Sequence, residues 1–205
     1  MTETNDGPNA RDGEHWRRYN IAQQARDPRP LLTTALAHTG AGDGKVALEL
    51  GAGAGVDSRA LLAAGWRVHA FDADGSGLDW LRQHVPATEA GRLQIHVVDL
   101  ATINELPAAD LIYSAFTLSW LQPAVFARVW AALRAALRPG GVLAVNIFGD
   151  RDEWARTPGT SCMSEPDVHD LLAGLEIVHF ATREEDGPAF CGPKHWHVFD
   201  VVARA

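Results

Sequence analysis

Apolar positions fall into short unbroken runs separated by stretches of helical spacing, and this alternation carries the chain from Lys45 to Gly149. The run "KVALELG" is bounded by polar and glycine positions, the pattern of a buried parallel strand. A helical stretch from about Val56 stops at Gly65, which reads as a C-terminal cap. "WRVHAFDAD" predicts the second strand, "SGLDWLRQHV" a helix ended by Pro86, and "LQIHVVDL" the third strand. "DLIYSAF" predicts the fourth, followed by a loop with Trp120 and a helix beginning near Pro123. That helix finishes at "LRPGG", where Pro139, Gly140 and Gly141 turn the chain into the fifth strand, "VLAVNIFG". Alternation of this kind calls for an α/β fold, a doubly wound parallel sheet with helices on both faces.

The two ends break the rhythm. "SEPDVHDLL" predicts a helix capped by Ser164 with Pro166 in its first turn. "LEIVHFATRE" and "HWHVFDVVARA" follow, joined by a Gly/Pro-rich link. Two strands with no helix between them pair antiparallel, because a parallel pair needs a longer crossover. At the other end, residues 1–13 are polar and without period, the pattern of a mobile tail. From Glu14 the pattern is helical until "DPRP" breaks it, so one helix ends near Arg26 and another starts near Pro30. Residues 14–40 are thus expected to form lid helices over a domain spanning 41–205.

Composition narrows the function classes. The chain has 205 residues, 46% of them hydrophobic, enough for one domain with a sizeable core. Its formal net charge of -8 disfavours nucleic acid and anionic membranes as partners. No apolar run approaches the roughly 20 residues of a membrane span, and "MTETNDGPNARDGE" lacks the apolar core of a secretory signal. A cytoplasmic location is the expectation. Cys162 and Cys191 are accordingly read as free thiols rather than a disulfide.

The candidate chemistry lies between Ala47 and Asp74, "ALELGAGAGVDSRALLAAGWRVHAFDAD". A glycine-rich first strand–helix turn, with an acid at the end of the second strand, is how a nucleotide-like cofactor is gripped. Asp72, 21 residues after Gly51, suits the ribose hydroxyls of either a nicotinamide dinucleotide or S-adenosylmethionine. The glycine spacing separates them. Gly51, Gly53 and Gly55 give G-x-G-x-G, whereas the dinucleotide fingerprint G-x-G-x-x-G would need its third glycine where Val56 stands. Glu49 would repel a diphosphate but attract the ammonium of a methionine moiety. Asp99 is placed to accept from an adenine amino group, with Leu100 beside it to cover the ring.

With these marks the sequence resembles the class I S-adenosylmethionine-dependent methyltransferases, through "ELGAGAG", "FDAD", "VVDL", "LRPGG" and the terminal strand pair. A finer resemblance, to the tellurite-resistance-type branch, rests on "NIFGDRDEWA", "EEDGP" and "PKHWHVFDVVARA". The resemblance implies a Rossmann-like seven-stranded sheet of order 3-2-1-4-5-7-6 with the seventh strand antiparallel. It also implies S-adenosylmethionine as cofactor and methyl transfer to a small-molecule or short-peptide nucleophile. Cofactor contacts are expected from Tyr19, Glu49, Gly51, Ala52, Gly53, Gly55, Asp72, Ala73, Asp99, Leu100 and Ser114. Acceptor contacts are expected from Phe116, Trp120, Phe148, Trp196 and His197, with His195 the candidate base and no metal. Trp16 and Trp154 are expected at the same open edge, and Arg29 could pair with the methionine carboxylate. A nicotinamide-dependent oxidoreductase, or a protein that binds a cofactor or toxicant without turnover, stays open as an alternative.

Overall fold

The structure is a computed structural model and describes residues 13–205. Of the expected tail, residues 1–12 lie outside the described residues, while Gly13 opens the first helix, α1 (Gly13–Gln23). α2 (Pro30–Thr39) starts at a proline in its first turn, as the break at "DPRP" requires. Then come β1 (Val46–Leu50), α3 (Val56–Ala63), β2 (Arg67–Asp72), α4 (Gly75–His84), a one-turn α5 (Ala87–Ala90) and β3 (Leu93–Val97). β4 (Ala109–Ser114), α6 (Pro123–Ala136), β5 (Leu137–Phe148) and α7 (Glu165–Leu171) lead to β6 (Glu176–Ala189) and β7 (Gly192–Arg204). α7 carries a capping box in which Ser164 and Asp167 satisfy each other's backbone N–H groups.

The seven strands form one sheet in the order β3-β2-β1-β4-β5-β7-β6. β1 to β5 are parallel and β7 runs antiparallel to both β5 and β6. Strand alternation sends Leu48, Ile112, Val145 and Phe199 to one face, where α6 and α7 cover them with Phe126, Leu133 and Val168. Ala47, Val68, Leu111 and Ala144 face the other way and pack under Leu32, Leu61 and Leu78 of α2, α3 and α4. The order reverses between β1 and β4, so a crevice opens there at the carboxyl ends of the strands. Among the described residues, no helix is long and apolar enough to cross a membrane.

Two boundaries differ from the pattern-based expectation. β5 begins at Leu137, immediately after α6, so the "LRPGG" segment belongs to the strand and pairs with Ala109 before a register irregularity. The Gly/Pro-rich link is likewise strand: β6 and β7 pair as far as Ala189 and Gly192, leaving Phe190 and Cys191 as the hairpin tip. Glu184, Glu185 and Asp186 therefore sit on a strand, opposite His197, Trp196 and His195.

Candidate functional site

The first crossover is the tightest part of the site. Gly51, Gly53 and Gly55 have φ of 76°, 54° and 69°, a left-handed path that side chains disfavour. A Cβ on Gly51 would lie 2.0 Å from Thr117 Oγ1, and one on Gly53 would lie 2.6 Å from Asn20 Oδ1. Gly51 and Ala52 donate to the Phe71 carbonyl at 2.8 and 3.0 Å, tying the turn to the end of β2. Asp72 accepts from the Gly53 and Asp74 amides at 2.7 and 2.8 Å, and burial raises its carboxyl above the usual range. Asn20 of α1 donates to Asp74 at 2.8 Å and so fastens the first helix over the turn.

Beneath the turn lies an acidic pair. Glu49 is buried and accepts from the Ser58 hydroxyl. Burial, and then the neighbouring Asp57 charge, push its carboxyl well above the usual range. Asp57 is buried too, but it is fully engaged. It accepts from Arg26 at 3.0 and 2.7 Å, from the Arg29 amide at 2.9 Å and from the Tyr113 hydroxyl at 3.2 Å. Arg26, a cation near the glycine turn, is thus already neutralised. Arg29 donates to the Tyr19 hydroxyl at 2.9 Å.

From this turn a continuous cleft of about 1500 Å³ runs across the strand ends. Its second half is aromatic. Trp16 meets Trp120 edge-on at 5.5 Å, Trp120 lies 4.8 Å from Trp154, and Trp154 lies 5.1 Å from Trp196. Phe148 packs at 5.6 Å from Trp120 and 5.5 Å from Trp154. Phe116, at the end of β4, holds a positive φ of 54°. The hairpin tip closes against α1, with Phe190 5.5 Å from His15 and 5.6 Å from Tyr19.

A fully buried ion pair, Lys194 with Asp152, backs this aromatic wall. The Lys194 ammonium lies 3.8 Å from the Trp154 centroid and 3.9 Å from that of Trp196. Burial lowers the Lys194 pKa, while Asp152 works against that by pairing with it.

Most sequence-selected residues meet in this one cleft. Tyr19, Glu49, Gly51, Ala52, Gly53, Asp72, Ala73, Asp99, Leu100, Phe116, Trp120, Phe148 and Trp196 all line it, as do Trp16, Arg29 and Trp154. Four do not. Gly55 caps α3 and lies against Leu81, and the Ser114 hydroxyl is buried, donating to the Leu50 carbonyl at 3.0 Å. His195 and His197 flank Trp196 on a strand, so the period of two that aims Trp196 into the cleft turns both histidines away. His195 instead contacts Asp186 at 2.8 Å and Glu184 at 3.5 Å, and Asp186 raises its pKa. His197 is buried beside Gly149 and accepts from the Arg151 amide at 3.1 Å.

Other lining residues escaped the sequence reading. Asn20 and Asp57 carry no local motif, and His15 also lines the cleft. Both cysteines are free, and burial pushes the Cys162 thiol up to about 11.

The donor set suits a cationic nucleoside. Carboxylates converge on bare backbone, and the nearby guanidinium of Arg26 is bound to Asp57, so a diphosphate would meet more negative than positive charge there. Comparison with known proteins agrees with this chemistry. Residues 47–141 match the family model described as a methyltransferase domain. No curated protein matches the chain in sequence.

Solved structures share the fold. One is TehB from Haemophilus influenzae, with 17% identity over 84% of this chain and a TM-score of 0.69; the match spans 60% of the TehB chain. Another is the N-methyltransferase NodS from Bradyrhizobium japonicum WM9 in complex with S-adenosyl-l-homocysteine. It shows 18% identity over 92% of this chain and 97% of its own, with a TM-score of 0.67. A third is the 1,6-didemethyltoxoflavin-N1-methyltransferase of Burkholderia thailandensis, 20% identical over 97% of this chain and 90% of its own, with a TM-score of 0.62. The family match makes residues 47–141, the glycine turn and its flanking strands, a methyltransferase domain with S-adenosylmethionine as its cofactor, on a sheet whose order is shared with these solved methyltransferase structures.

Proposed function

We propose that the chain methylates a small-molecule nucleophile by in-line displacement at the cofactor's methyl carbon. The observation that carries this reading is the undivided cleft of about 1500 Å³. Single-ligand pockets occupy roughly 300–1000 Å³, so the space suits two ligands lying end to end. The carboxylate half would hold the donor. Asp72 accepts from the ribose hydroxyls, Glu49 faces the methionine ammonium, Asp99 and Leu100 border the adenine, and Gly51 to Gly53 with Ala73 supply close backbone. Arg29 and Tyr19 would meet the methionine carboxylate.

The aromatic half would hold the acceptor, with Phe116, Trp120, Phe148 and Trp196 as its walls. α1 and α2 would act as the lid, α1 being fastened through Asn20 and the Phe190 contacts. The donor supplies an electrophilic methyl group, and the protein's part is to align and desolvate the nucleophile. Such alignment can supply about 7–11 kcal/mol of the barrier. The Burkholderia relative, whose acceptor is 1,6-didemethyltoxoflavin, supports a compact acceptor. A cytoplasmic setting belongs to the same proposal.

The test is incubation of purified protein with methyl-labelled donor and a fractionated small-molecule extract. Label should move into a low-molecular-weight fraction, and Asp72→Ala should abolish the transfer. Donor binding with no transfer to any fraction would favour a binding protein instead. Stabilisation by a nicotinamide dinucleotide alone would favour the oxidoreductase.

A further inference from the structure

The cations lining the cleft are unequally committed. Arg26 gives two N–H groups to Asp57, and Arg29 gives one to Tyr19. Arg183 of β6 differs: its guanidinium donates no hydrogen bond to any described residue. It lies over the aromatic wall, Cζ 5.7 Å from the Phe116 centroid and 5.6 Å from that of Trp196. Arg29 approaches the same Phe116 ring, at 4.7 Å. Phe116 holds its ring there from a left-handed backbone, a strained conformation that persists only when the surroundings enforce it. Two carboxylates lie near Arg183: exposed Glu185, 3.5 Å away, and Asp200 of β7, which is already hydrogen-bonded by Asn146.

Two materials therefore meet at this end of the cleft: flat apolar surface and a guanidinium with free donors. A planar ring can lie among the indoles, and a carboxylate on that ring can take two parallel N–H groups from a guanidinium fork. The other half is lined by Glu49, Asp72 and Asp99, so an anionic group is turned away from it and towards Arg183. We propose that Arg183 is a specificity-determining residue that selects a planar aromatic acid as the acceptor. The proposal rests on the reading above that the aromatic half is the acceptor pocket. Glu185 tempers the selection by competing for the same guanidinium.

The test is calorimetric titration of the protein saturated with S-adenosylhomocysteine, using 2-naphthoate and its neutral counterpart 2-naphthamide. The acid should bind about tenfold more tightly than the amide, as a charge-assisted pair would give. Arg183→Gln should erase that difference while leaving the affinity for S-adenosylhomocysteine unchanged. Glu185→Gln should raise affinity for the acid and leave the amide unaffected. Equal binding of the two probes, binding of neither, or a preference that survives Arg183→Gln would overturn the proposal. Failure of S-adenosylhomocysteine itself to bind would instead overturn the functional reading beneath it.

Discussion

At the ends of β1, β2 and β3 the cleft wall is backbone and carboxylate; at the ends of β4 to β7 it is indole, phenyl and guanidinium. The first wall is drawn from neighbouring segments of the chain, Glu49 to Ala54, Asp72 to Gly75 and Asp99 to Ala101, joined in turn by helix–strand units. The second is assembled from α1, the β4 end, the turn at Trp154 and the terminal hairpin, segments far apart in sequence. The contrast follows from what each half must do. A fixed cofactor can be met by a compact motif. An acceptor pocket needs only shape, which many distant segments can supply.

Substitutions can break this contrast from either side, and the largest effect is expected at the glycine turn. Gly51→Val places a Cβ 2.0 Å from Thr117 Oγ1 on a backbone with φ of 76°. Donor binding should be lost altogether, with a destabilisation of at least about 1–3 kcal/mol from the backbone alone. Calorimetry and denaturant unfolding would read the two losses separately.

The aromatic half has its own weak point in Lys194. Lys194→Met strands the buried Asp152 carboxylate, which should cost about 3–5 kcal/mol of stability. Adding Asp152→Asn should recover much of that loss in urea unfolding. Donor binding should change far less than in the glycine variant, which keeps the two halves distinct.

Glu49→Gln separates stability from function within the first half. Burial holds the folded pKa of Glu49 above its unfolded value, so its contribution to stability falls as pH rises through the folded pKa. The amide should therefore melt higher than the wild type at neutral pH. It should also bind the donor about tenfold more weakly, having lost the charge opposite the ammonium. An unchanged donor affinity would remove Glu49 from the cofactor site.

The smallest effect is expected at the β2–β3 edge, outside both walls. His69 and His96 stack with nitrogens 3.2 Å apart, and burial lowers both pKa values. The unfolded chain then takes up protons first as pH falls below about 6.5, so stability should decline from there downward. His96→Phe should flatten that slope in pH-dependent melting. Methyl transfer and donor binding should be untouched.

How much of this the sequence revealed divides along the same line. Strand–helix alternation and the Gly51 to Asp72 spacing are short-range patterns, and they yield the sheet order and the first wall through family resemblance. The "LRPGG" and "EEDGP" segments read as turns because glycine and proline dominate them, yet strand pairing absorbs both. His195 and His197 looked placed for the cleft because they stand at the right end of β7. Applying the strand period to Trp196 would have shown that the three could not share a side. Lys194 and Asp152 are 42 positions apart, so their pairing offered no local signal.

The most direct test of the central claim is calorimetric titration of the wild type and Asp72→Ala with S-adenosylhomocysteine and, in parallel, with NAD. The wild type should bind the first and not the second, and Asp72→Ala should weaken binding by about tenfold or more. Tight binding of the dinucleotide with none of the homocysteine nucleoside, or an affinity indifferent to Asp72, would contradict the account.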